Sequence, residues 1–168
     1  EILDPALILK HLHEEVRLAL KQKHGKTKTQ DGMDVCLCIL EKNSHQHKLV
    51  FAGAKRPLYI IKEGKKELTE IKGDRKSIGG RQREGERIFT AHELSLDSGD
   101  NLYLTTDGYA DQQNPGNRRY GSGRLKTFLQ KVSDLEMQEQ AKALSHELAR
   151  HQDKEEQRDD ITLIGLKI

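Results

Sequence analysis

Four aspartates in two separated clusters are the residues of this chain best suited to chemistry. Asp107 and Asp111 stand in Thr106-Asp107-Gly108-Tyr109-Ala110-Asp111-Gln112, and Asp159 and Asp160 stand in Arg158-Asp159-Asp160-Ile161-Thr162. Carboxylates on stiff backbone and gathered in space suit a hard divalent cation such as Mg²⁺ or Mn²⁺. The adjacent Asp159 and Asp160 repel each other, and a bound cation would relieve that repulsion. At Asp107 taken alone, the alternative is a hairpin turn with solvated aspartates. The second acidic pair, at the entrance to an apolar run, favours the metal.

These residues need rigid elements behind them. Leu102-Tyr103-Leu104-Thr105 reads as a short buried strand running into Asp107-Gly108, where glycine permits a sharp turn. If the chain coils after Gly108, Asp107 and Asp111 lie four apart on one face. Ile161 to Ile168 reads as a last strand, so each acidic cluster sits at a strand terminus.

Elsewhere, Asp4-Pro5 predicts a helix start, with an apolar face of Ile8, Leu12, Val16, Ala19 and Leu20 and an end near Gly25. His11 and Glu15 belong to its solvated face. Strands are expected at 35–40, 48–52, 58–61 and 68–71, at Ile88-Phe89 and around Leu94 and Leu96. His45 and His47 fall in a hairpin loop, and Asp31 and Asp34 read as turn formers. Residues 73–87, rich in Gly, Arg, Lys and Glu, read as a mobile loop where a substrate-facing flap could reside. A helix from Ser122 presents Leu125, Phe128, Leu129 and Val132. Another, capped by Ser133 or Asp134, presents Met137, Ala141, Leu144 and Leu148. One helix, a run of antiparallel-looking strands, two helices and a final strand make an α+β chain.

Composition narrows the function. In 168 residues, 29 Lys and Arg against 27 acids leave +2, which gives no electrostatic reason to expect nucleic acid as a partner. No apolar run approaches the roughly 18 residues of a membrane span, so no direct membrane contact is expected, and no signal-peptide pattern appears. Cys36 and Cys38 share a strand face and read as small buried hydrophobes; with no second pair, a reducing cytoplasm is the expected location.

Thr106 to Gln112, Asp159-Asp160-Ile161-Thr162 downstream and Gly99-Asp100 upstream together resemble the SpoIIE/RsbU-type branch of the PP2C-like (PPM) serine/threonine phosphatases. Ala52-Gly53-Ala54-Lys55-Arg56-Pro57-Leu58 and Ser77-Ile78-Gly79-Gly80 look like that family's middle motifs, and the likeness runs from about Asp31 onward. It implies an antiparallel β-sandwich flanked by helices, and hydrolysis of phosphoserine or phosphothreonine on a protein partner. It also implies two divalent ions, Mn²⁺ or Mg²⁺, sharing a water activated for attack on phosphorus. Asp107 and Asp159 match the family's metal-binding aspartates, with Gly108 as backbone beside the metal. Asp111 and Asp160 match neighbours in an outer ring or at a third ion. Lys55 and Arg56 lie where relatives carry an Asn-Pro type sequence; a phosphate or substrate contact for Arg56 and a solvated turn are both open readings.

One departure is large. The family's earlier Asp-x-x-Gly-His-Gly motif, which supplies an aspartate bridging both metals, does not occur in residues 1–168. The chain opens on Glu1 inside a helix signal, so a single partial domain from the C-terminal portion of a longer protein is expected. Sensor, transducer or membrane modules would then lie upstream in a bacterial signalling parent. Such a fragment is expected to hold metal weakly, to show little or no activity, and to self-associate through exposed sheet edges. The substrate class is a phosphorylated signalling protein, of which an anti-sigma-factor antagonist is one candidate. The competing functions are a non-catalytic PP2C-like module that binds and regulates a phosphoprotein, and a plain structural α+β domain.

Overall fold

The computed structural model describes residues 4–22, 31–42, 47–82 and 84–168. In chain order the elements are α1 (Pro5–Ala19), β1 (Gly32–Met33), β2 (Val35–Lys42), β3 (His47–Ala54), β4 (Leu58–Ile61), β5 (Leu68–Ile71) and β6 (Ile78–Gly79). Then follow β7 (His92–Leu96), β8 (Asn101–Thr105), α2 (Gly108–Asp111), α3 (Ser122–Val132), α4 (Met137–Gln152) and β9 (Leu163–Lys167). They fall into two compact units, Glu1–Leu58 with Ile71–Leu96, and Tyr59–Glu70 with Asp97–Ile168. Mixed α+β architecture with antiparallel pairing is thus observed.

In the first unit, the Asp4 carboxylate accepts the Ala6 N–H at 2.8 Å and Pro5 opens α1, as the capping signal predicts. The helix ends at Ala19; the expected stop at Gly25 lies outside the described residues. Its buried face is a correction. Ala6, Leu9 and His13 turn inward, while Leu12 is 40% exposed. The helix rotates toward His13 because that ring has fixed partners. Its Nδ1 accepts the Gly79 N–H at 3.0 Å, and its Nε2 lies 3.0 Å from Gln82 Oε1. Burial holds the His13 pKa below its ordinary value, so the ring stays neutral and can accept from Gly79.

Strands β2, β3 and β7 form one antiparallel sheet in that order, with Leu37 opposite Ala52 and Phe51 opposite His92. Leu9, Ala52, Ala54, Ile78 and Phe89 make the core, flanked by Val35 and Leu37. His45 lies outside the described residues, and His47 opens β3. Cys36 and Cys38 are free and half-buried on β2. Two expectations need correcting. Ile88-Phe89 is not a strand: Phe89 is buried in this core and Ile88 is 61% exposed. Within 73–87, Ile78 and Gly79 pair with β1 as β6, and the buried Arg87 is bonded to three carbonyls of the same segment, so its described residues are anchored.

Gly53 marks the tightest packing of this unit. A Cβ there would stand 2.2 Å from the Arg56 carbonyl oxygen and 2.9 Å from Gly73 Cα. Both neighbours are backbone and cannot swing aside. Gly53→Ala is therefore expected to cost about 1–3 kcal/mol, measured as a lower urea midpoint against wild type.

The second unit carries a sheet of order β5-β4-β8-β9. Its core joins Tyr59, Ile61, Tyr103, Tyr109 and Tyr120 to Leu125, Leu129 and Leu144. Helix α3 buries Leu125, Leu129 and Val132, with Phe128 packed partly against the core, as expected. Helix α4 starts later than its capping signal: Glu136 is its N-cap, and Ser133 closes α3 instead. The Ser133 carbonyl accepts the side-chain amides of Asn101 at 3.0 Å and Gln140 at 3.3 Å. Gln140, Leu144, Glu147 and His151 form the buried face of α4, whereas Ala141 is exposed.

Candidate metal centre

The two acidic clusters are brought to the same end of one strand pair. β8 and β9 run antiparallel with Thr105 opposite Leu163, so continuing the register sets Gly108 opposite Asp160. Hydrogen bonds carry the pairing beyond the strands. The Thr106 N–H donates to the Thr162 carbonyl at 3.0 Å, and the Thr106 hydroxyl donates to the Asp160 carbonyl at 3.0 Å. At Gly108 the backbones touch: a Cβ would lie 2.4 Å from the Asp160 carbonyl oxygen. Only glycine permits that approach. The chain then coils into α2, where the Asp111 N–H donates to the Asp107 carbonyl at 2.9 Å.

Side chains are less convergent than backbone. Asp107, Asp111, Asp159 and Asp160 are all exposed. Asp159 folds onto its own chain, with Oδ1 accepting the Asp160 N–H at 2.8 Å. Asp111 pairs with Arg119 at 3.0 Å, a surface contact of small net worth. Among the described residues, no group of three or more His, Cys, Asp or Glu is arranged to hold a metal ion. The donors fit Mn²⁺ or Mg²⁺ in kind, being hard oxygens beside a glycine-lined backbone approach, but they fall short of a closed set.

Polar clusters steady both ends of this strand pair, that of Asp100 at the end away from the aspartates, where its carbonyl accepts the Ile168 N–H, and that of Tyr109 beside them. The Asp100 carboxylate, with 1% of its side chain exposed, accepts Lys62 Nζ at 2.7 Å, the Glu63 N–H at 3.0 Å and the Asp97 N–H at 2.9 Å. Burial opposes its charge, yet the Lys62 bond and the two backbone donors outweigh it and hold its pKa below the ordinary carboxylate value. Thus the Gly99-Asp100 part of the motif holds structure. Tyr109, within α2, donates its hydroxyl to the Leu144 carbonyl at 2.9 Å and meets Tyr120 edge-on at 5.1 Å. Tyr120 in turn abuts His151, which lies 3.1 Å from the Gln112 carbonyl, and carries the Arg124 guanidinium 4.3 Å above its ring. Glu147 joins Arg124 at 2.6 Å and Arg150 at 2.8 Å; burial opposes its charge, but these two partners keep its pKa lowered. Together they clamp the residues on both sides of Asp111.

In the first unit, the two cations for which a phosphate contact and a solvated turn were both open are paired. Lys55 Nζ and Arg56 Nη2 lie 3.5 and 3.3 Å from Asp34, whose other bond comes from the Ser77 hydroxyl at 2.6 Å. Lys55 adopts a left-handed backbone, φ +60°, which closes the turn after β3. Asp34, read from sequence as a turn former, is the hub of this ion cluster.

The family model for Stage II sporulation protein E (SpoIIE) matches residues 1–168. Among solved structures, the SiaA-PP2C domain of Pseudomonas aeruginosa is similar at 32% identity and TM-score 0.82, over 98% of this chain and 61% of that one. This chain therefore spans about three fifths of that relative's length. The phosphatase domain of the cell fate determinant SpoIIE from Bacillus subtilis aligns at 18% identity and TM-score 0.56, over 100% of this chain and 75% of that one. The catalytic domain of the serine threonine protein phosphatase PstP, solved with 2 manganese ions, aligns at 16% identity and TM-score 0.51, over 95% of this chain and 80% of that one. Those two likenesses speak to fold alone. No curated protein matches. With its whole length matched by the family model and its antiparallel α+β architecture shared with PP2C-like phosphatase domains, the chain belongs to the SpoIIE family.

Proposed function

We propose that this chain is the part of a metal-dependent protein phosphatase that contributes Asp107 and Asp159 to a Mn²⁺ or Mg²⁺ site, serving hydrolysis of phosphoserine or phosphothreonine on a bacterial signalling protein. The observation that carries the reading is the antiparallel meeting of Asp107-Gly108 with Asp159-Asp160 at the end of β8 and β9. Family membership and the manganese ions of the PstP structure support it. When bound, the metal would supply an acidified water and charge neutralisation for the phosphoryl oxygens. The chain's own part is positional. Thr106 and Gly108 set the two segments side by side, and the Tyr109-Tyr120-His151 packing holds Asp111 and the Gly108 carbonyl at the edge of the site. Asp160 would stand beside Asp159 as an outer neighbour. Arg56, oriented by Asp34 and accompanied by Lys55, is the candidate contact for a phosphoryl group.

With no three-donor group among the described residues, the chain by itself is a weak metal binder and a poor catalyst. Its partner is a phosphoprotein rather than nucleic acid, an anti-sigma-factor antagonist being one candidate, in a cytoplasmic setting. No described helix is long and apolar enough to cross a membrane. Ile164 and Leu166, exposed on the edge strand β9, offer a surface for self-association. The sparse donor set also favours a second reading, a non-catalytic module that binds and regulates a phosphoprotein.

Phosphate release from a phosphoserine peptide separates these. Slow release that requires millimolar Mn²⁺ and disappears in Asp107→Asn supports the phosphatase. No release at any Mn²⁺ concentration supports the regulatory module. Fast turnover at micromolar Mn²⁺ contradicts the weak half-site.

A further inference from the structure

The first unit contains an open, polar cavity of about 660 Å³ bounded by Gly32 of β1, by residues 75–81 and by Glu84 and Arg87. Four of its charges are balanced within two ion pairs. Arg87, buried, donates to the carbonyls of Ser77 at 2.6 Å, Gly79 at 3.1 Å and Arg81 at 2.9 Å, and pairs with Glu84 at 2.7 Å. That guanidinium is the peg around which the segment folds. Asp34, on another wall, faces Lys55 at 3.5 Å. Arg75, Lys76 and Arg81 line the same cavity, and none of the three has an ion pair among the described residues.

Three unpaired cations held around one concavity repel one another, and an acidic ligand would relieve that repulsion. The lining discriminates among acidic ligands. Its described residues include no aromatic side chain on which a base could stack, which disfavours a nucleic acid. Its volume lies in the range of sites that enclose several groups rather than one small anion. We propose that this basic cavity docks an acidic segment of a protein partner, with Arg75, Lys76 and Arg81 meeting its acidic side chains. The site lies within the first unit and does not depend on the reading of Asp107 and Asp159.

The probe is a fluorescein-labelled Gly-Glu-Glu-Glu-Glu-Gly peptide, followed by fluorescence anisotropy with the full chain at low salt in chelator. Wild type is expected to bind it, to lose affinity as salt rises, and to ignore the peptide with Gln in place of Glu. The triple variant Arg75→Glu, Lys76→Glu, Arg81→Glu should bind at least about tenfold more weakly while keeping the wild-type circular dichroism. Should charge reversal impair folding, the neutral triple with Gln at the same positions gives the same readout. Asp107→Asn should bind as wild type does, which separates this site from the metal reading. Undiminished binding by both triples overturns the proposal. So does displacement by inorganic pyrophosphate at lower concentration than by unlabelled peptide, or tighter binding of labelled single-stranded DNA.

Discussion

Asp100→Ala is expected to lower the stability of this chain by about 2–4 kcal/mol, chiefly the cost of leaving two backbone donors without their acceptor. The carboxylate is enclosed and takes three donors, so its removal orphans the Glu63 and Asp97 N–H groups together with the Lys62 ammonium. Lys62 is 42% exposed and can rehydrate, so the two backbone donors carry most of the loss. Asp100→Asn keeps an acceptor and should cost less. The pH dependence has a fixed sign. The folded pKa of Asp100 lies below its unfolded value, so the stabilisation is complete above the ordinary carboxylate pKa. It is lost as pH falls through the lowered folded value. Urea unfolding of wild type and Asp100→Ala across acidic pH measures this, and the two curves should converge as the acid limit is approached.

The second large effect belongs to Gly108. Gly108→Val places branched carbon where a Cβ alone would stand 2.4 Å from the Asp160 carbonyl oxygen and 3.0 Å from Ile161 Cγ1. The obstacle is backbone, so α2 and the Asp159-Asp160 segment must separate. The expected cost is about 3 kcal/mol, and Gly108→Ala should lose somewhat less. Any metal affinity that uses both segments should fall together with stability. Gly85→Ala is the control, because nothing lies within 4 Å of a Cβ there, and its unfolding midpoint should stay within error of wild type.

What was legible in the sequence was mostly local. Asp4-Pro5 capped α1, the Leu102–Thr105 run became β8, and Ser122 opened α3, since capping groups and short apolar runs act on neighbouring backbone. The α+β class and the family followed from element order and from motifs whose spacing is itself the signal. Long-range polar pairing was not legible. Nothing near His13 announces Gly79 or Gln82, so the periodicity placed Leu12 inward where His13 belongs, whereas Val16 does lie against Gly79. On α4, Gln140, Glu147 and His151 share the inward stripe with Leu144, but their partners Tyr103, Arg124 and Gln112 come from other elements. Ile88 and Phe89 looked like a strand because both are apolar; only Phe89 found a core to enter. At the candidate site, the nearness of the two acidic segments was expected from their places at strand termini and from the family motifs. The structure adds the register that produces it and the glycine that allows it.

Titration of Mn²⁺ into isotope-labelled chain, read as paramagnetic broadening of backbone amide signals, tests the central claim most directly. The account predicts weak binding in which the amides of residues 106–108 and 159–161 broaden first and together, and in which either Asp107→Asn or Asp159→Asn abolishes the effect at both segments. Broadening that begins elsewhere, or that survives at one segment when the other's aspartate is replaced, would contradict a shared metal site.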